Sequence, residues 1–111
     1  MKHLCFILLM GLVACEPKEH RPTGLIDDAA MAQLLADMHI LETAQNSKTL
    51  QSDSIQFSYE QIYTETFKKH NVTRSQYDST MMWLSHHPAE LEVVYDQVIS
   101  ELSERESRAK Q

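Results

Sequence analysis

The chain has 111 residues, 42% hydrophobic and 23% charged, with two glycines and three prolines, which suffices for one small domain and excludes a multi-domain enzyme. Its formal net charge of −6 disfavours binding to nucleic-acid phosphates or to an anionic membrane face.

Lys2 and His3 open the chain, Leu4 to Val13 form an apolar run and small residues follow, which is the layout of a secretory signal peptide. A membrane-spanning helix needs about 20 apolar residues to cross a hydrocarbon core of about 30 Å, so this run is too short. Leu12-Val13-Ala14-Cys15 resembles the bacterial lipobox, whose cysteine is lipidated before cleavage. Residues 1–14 are therefore expected to be removed, leaving Cys15 as the lipidated first residue, and losing Lys2 takes the charge to −7. Cys5 has no hydrophobic region before it and reads as a small apolar residue of the leader, so the mature chain has no second cysteine for an internal disulfide. Each buried acyl methylene adds about 0.8 kcal/mol, so several chains would hold the domain on a membrane.

Glu16 to Gly24 is polar, carries Pro17 and Pro22, and lacks helical periodicity, so residues 15–25 read as the lipidated cysteine and an extended tether ahead of a helical domain over 26–111. At about 3.1 Å per residue this tether reaches somewhat under 30 Å. Glu16 follows the cysteine where inner-membrane lipoproteins typically carry Asp, and Lys18-Glu19 resembles a surface-export signal of Bacteroidetes lipoproteins. Together these point to the outer membrane, on its periplasmic or surface face.

From Asp27 onward the apolar spacing is helical, giving an all-α chain of about four helices. Met31, Leu34, Leu35, Met38 and Leu41 share one stripe beside Ala30 and Ala44, with Asp27 or Asp28 capping a helix over about 28–44. Residues 45–54 are rich in turn formers and predict a loop. Ile55, Tyr59, Ile62, Tyr63, Thr66 and Phe67 then predict a second helix, with Lys68, Lys69 and His70 at its carboxyl end and Asn71 closing it in the left-handed conformation. Thr73-Arg74-Ser75-Gln76 is a capping box opening a third helix, with Tyr77, Met81 and Leu84 inward and Met82 and Trp83 widening that face. His87 before Pro88 ends it, and Pro88 starts a fourth in which Leu91, Val94, Tyr95, Val98 and Leu102 repeat up to a tail expected to fray.

Leu35-Ala36-Asp37-Met38-His39-Ile40-Leu41-Glu42-Thr43-Ala44, Ser52-Asp53-Ser54, Phe67-Lys68-Lys69-His70-Asn71-Val72, Tyr77 with Ser79, His87-Pro88-Ala89-Glu90 and Tyr95-Asp96-Gln97-Val98 together resemble a family of short, uncharacterised lipoproteins of Bacteroidetes, a domain of unknown function. The resemblance spans nearly the whole mature chain. It implies a compartment and a fold, and no activity. A glycine is usual in that family where Asn71 stands.

Asp37, His39 and Glu42 are the first candidates for chemistry. His39 and Glu42 lie on one helical face and could share a metal or polarise a water, but Asp37 points about 200° away from His39, so the three do not converge. The plainer reading is a polar network, with Glu42 anchoring a tyrosine hydroxyl or a backbone group. His86 and His87 could join His70 in a zinc site, yet adjacent helical residues diverge by about 100°, which favours capping and solvated roles. No nucleophile elbow, phosphate-binding loop or paired-cysteine motif is present, so neither a catalytic residue nor a cofactor is predicted.

Ser54 in Asp53-Ser54-Ile55, and less so Ser79, fits a bacterial O-glycosylation sequon. Trp83 is the aromatic most expected to protrude, and Met82, Trp83 and Tyr59 could form an apolar contact, with Tyr95 a further recognition candidate. The expected function is a non-catalytic accessory lipoprotein that joins the membrane through Cys15 and an envelope protein through a helical face, without nucleic acid. A periplasmic holdase is the alternative, and a metal carrier or metalloenzyme a third reading.

Overall fold

The computed structural model describes residues 19–46 and 58–111. It contains α1 (Asp28–Asn46), α2 (Tyr59–Lys69), α3 (Arg74–Ser85) and α4 (Pro88–Ala109), with no strand among the described residues. No helix there is long and apolar enough to cross a membrane. The leader, Cys15, Ile55 and Ser54 all lie outside the described residues.

Local chemistry sets the helix ends. Asp27 accepts from the Ala30 amide at 2.8 Å and opens α1, as its position predicts. The Thr73–Gln76 capping box opens α3. A second box, Ser58 with Gln61, opens α2 and is a signal that the apolar spacing from Ile55 masks. Pro88 sits in the first turn of α4, where its missing N–H is not needed.

Asn71 has φ 54°, the left-handed cap expected of it. The Val72 amide donates to the Phe67 carbonyl at 3.0 Å and the Asn71 amide to the Lys68 carbonyl at 3.2 Å, satisfying carbonyls that the end of α2 would otherwise leave open. Asn71→Ala is therefore expected to cost about 1 kcal/mol, because a Cβ without the Asn side chain's local hydrogen bonding is strained there. Asn71→Gly should hold or raise the melting temperature, and thermal unfolding separates the two.

Helix α1 is the central element, packed along α4 and against α2, while α3 packs on α4. From Met31 to Met38 only Gln33 is exposed and Leu35 half-buried. Met31 and Leu34 meet Leu84 of α3 and Val94 of α4 in a fully enclosed core, with Ala36 on a second buried side of α1. The predicted stripe ends early, since Leu41 is 39% exposed beyond the point where the packing partners cover α1. Thr80 is fully buried, its hydroxyl donating to the Gln76 carbonyl at 2.6 Å and accepting from the Ile26 amide at 3.0 Å.

Two further expectations are corrected. Tyr95 is 48% exposed, not part of the inward α4 stripe of Val94 and Val98. The tail of α4 does not fray at its arginine- and glutamate-rich stretch: the helix runs to Ala109, because Arg105 is held by groups on α1 and on its own previous turn.

Candidate functional site

Among the described residues Asp37 is the one charged residue that is buried, and a lysine, an arginine and a histidine meet it. His70 Nε2 lies 2.6 Å and Lys69 Nζ 2.8 Å from its Oδ2, both from the carboxyl end of α2. Arg105 of α4 donates to Oδ1 and, through Nε, to Glu101 at 2.8 Å. The carboxylate thus joins α1, α2 and α4 at a single point. Burial alone would raise its pKa, but hydrogen bonds from Lys69, Arg105 and His70 together hold the carboxyl well below the usual carboxylate range. Such a group stays an anion and an acceptor, with no proton to give.

The other members of the sequence cluster go elsewhere. His39 is exposed on α1, on the side away from Asp37, as the helical wheel requires. Glu42 is half-buried and faces Tyr63 of α2, where burial and then the Glu42 carboxylate push the phenol pKa up. Tyr63, Phe67 and Tyr77 form a cluster with centroids 5.0–6.3 Å apart, and burial, then Tyr63, pushes Tyr77 up to about 12. These are phenols that stay protonated and bind helices together. Among the described residues no three His, Cys, Asp or Glu side chains are grouped to hold a metal ion.

A second feature lies at the α3–α4 corner. Trp83 does not protrude: it is half-buried, stacked on His87 with centroids 3.6 Å apart, and its indole N–H donates to Glu90 at 3.0 Å. Met82 is the side chain that projects, at 63% exposure. Tyr59 is not beside it, since its hydroxyl donates to Asn46 at the far end of α1.

The stretch ahead of α1 closes this corner. Arg21 donates to Asp28 and to the Ile26 carbonyl, both at 2.5 Å, Glu90 stands 3.7 Å from the same guanidinium, and Ile26 is buried. Pro22 and Leu25 thereby face Met82 and Trp83 across an open groove of about 830 Å³, with Glu19, Asp78, Ser79, His86 and His87 at its polar edge. Sequence reasoning found Met82 and Trp83 and missed Pro22 and Leu25, because a proline-bearing segment without periodicity carries no sign of the surface it will lie on.

Residues 22–108 match the family model of a Domain of unknown function (DUF4296). No curated protein and no solved structure matches the chain.

Proposed function

We propose that this chain, which belongs to the Domain of unknown function (DUF4296) family, is a membrane-anchored, non-catalytic accessory lipoprotein whose helical domain docks a protein of the cell envelope. The lipid would sit on Cys15, the membrane would be the outer membrane, and the docking surface would be the groove at the α3–α4 corner.

The observation that carries this reading is Met82, largely exposed beside Trp83, Pro22 and Leu25 on an apolar floor edged by the Glu19 and Asp78 carboxylates. An apolar anchor that fills such a recess excludes water and supplies most of the energy of a contact, while rim charges select the partner. The excess of acidic over basic side chains, 16 against 10, adds to that selection. The fitting partner is a polypeptide segment with an apolar side chain flanked by Lys or Arg. The polar side chains nearest to chemical use support a non-catalytic role, since Asp37 is held by Lys69, His70 and Arg105, and His87 by Trp83 and Glu19.

A photo-crosslinker placed at residue 79, on the edge of the groove beside Met82, in the full chain in native membranes tests this. It should yield one stoichiometric adduct that maps to a basic-apolar segment, weakens as salt is raised, and disappears in Met82→Asp. Recovery of the lipoprotein alone, or an adduct unaffected by both salt and Met82→Asp, would overturn the reading.

A further inference from the structure

We propose that His87 is a pH-sensitive latch that fastens Glu19, and with it the direction in which the chain ahead of the domain leaves the body, to the α3–α4 corner. Both ring nitrogens face oxygens that can only accept. Nδ1 lies 2.7 Å from the Trp83 carbonyl and Nε2 lies 3.0 Å from the Glu19 carboxylate. A neutral imidazole has one N–H and one lone pair, so it satisfies only one of these two acceptors, whereas an imidazolium donates to both. The arrangement is therefore specific for the charged ring.

The surroundings decide what deprotonation does. From α3, the Trp83 indole is stacked on the ring and its carbonyl takes Nδ1; from α4, Glu90 adds negative potential; from the leading segment come Glu19 and, beside Glu90, Arg21; Asp78 and His86 line the same groove. The bond to the Trp83 carbonyl is the larger of the favourable influences and the Glu19 bond the next, and together they push the His87 pKa up. With its folded pKa raised, His87 contributes to latching fully below the unfolded value and loses that contribution as pH rises through the folded one. The Nδ1–H then remains on the backbone carbonyl while the Nε2 lone pair faces a carboxylate and repels it. Glu19 is 71% exposed and swings into water. Release stops at Arg21, which Asp28 and the Ile26 carbonyl still hold.

Opening would remove Glu19 from the groove edge, a consequence for docking that rests on the reading of the groove given above. The latch itself does not need a partner, and it is tested without one. Trp83 is the only tryptophan of the chain, and a stacked imidazolium quenches indole emission. Emission of the full chain should rise in one step whose midpoint lies above the ordinary histidine value, because both partners favour the charged ring.

The midpoint should match the His87 ring shifts by NMR and fall by about 0.5 pH unit in Glu19→Gln, where the anionic partner is gone. The ¹⁵N heteronuclear NOE at Glu19 and His20 should be high below the midpoint and low above it, and low at every pH in His87→Asn. A midpoint that Glu19→Gln leaves in place, or an NOE at residues 19 and 20 that does not change across the titration, would overturn the latch. Failure of the crosslinking experiment would leave these readings untouched.

Discussion

Asp37→Ala is expected to lower stability by about 3 kcal/mol, near the lower end of what breaking a buried ion pair costs. The low end applies because the orphaned cations have other recourse. Lys69 is 67% exposed and returns to water, and Arg105 keeps Glu101. What is lost is the single point that joins three helices. Arg105→Met should cost less, about 1–2 kcal/mol, since Lys69 and His70 still donate to the carboxylate. The two effects should not add: a double-mutant cycle by denaturant unfolding is expected to show a coupling of about 1–2 kcal/mol. Additive losses would mean that the helices hold together without this cluster.

Acid gives an independent reading of the same group. The folded-state pKa of Asp37 lies below its ordinary value of 3.8. Its contribution is therefore fully present above about pH 5 and is lost as pH falls toward the folded value. The stability gap between the parent chain and Asp37→Ala should narrow as pH drops below about 4. His87 titrates with the opposite sign and in a higher window, so the two groups bracket a range in which both interactions stand.

The helices were legible in the sequence wherever local chemistry governs them. Asp27, Thr73 with Gln76, Asn71 and Pro88 each act through bonds within a few residues, and each does in the fold what its position predicts. The candidate site was less legible because its parts are far apart in the chain. Asp37 and Arg105 are 68 residues apart, as are Glu19 and His87. Lys69 and His70 read as side chains at a helix carboxyl end, and Arg105 as part of a charged tail, but no periodicity reveals that all three aim at one carboxylate.

Trp83 illustrates the other limit. A helical wheel gives its direction relative to Leu84, and says nothing of the His87 ring that stacks on it after the chain turns at Pro88. Thr80 was hidden for a related reason. Its hydroxyl satisfies the Ile26 amide from a segment with no helix, so a polar residue occupies a fully buried site that a hydropathy pattern assigns to solvent.

Leu34→Ala is expected to cost about 2–5 kcal/mol, the range for truncating a buried leucine whose surroundings cannot collapse. Leu34 is fully enclosed among Met31, Leu84 and Val94, with α4 and α2 both fixed on α1. A domain of this size has about 5–15 kcal/mol in total, so the loss is a large share of it. With each kilocalorie worth about 4–8 °C, melting should fall by roughly 8–40 °C by calorimetry or circular dichroism. Leu41→Ala, at a position on the same predicted stripe but 39% exposed, should cost under about 1 kcal/mol, because most of the removed surface already meets water. The contrast tests the placement of the core more sharply than either variant alone. If both truncations cost the same, the second half of α1 is covered by something other than the helices described here; if Leu34 alone is costly, the core ends where α1 leaves its neighbours.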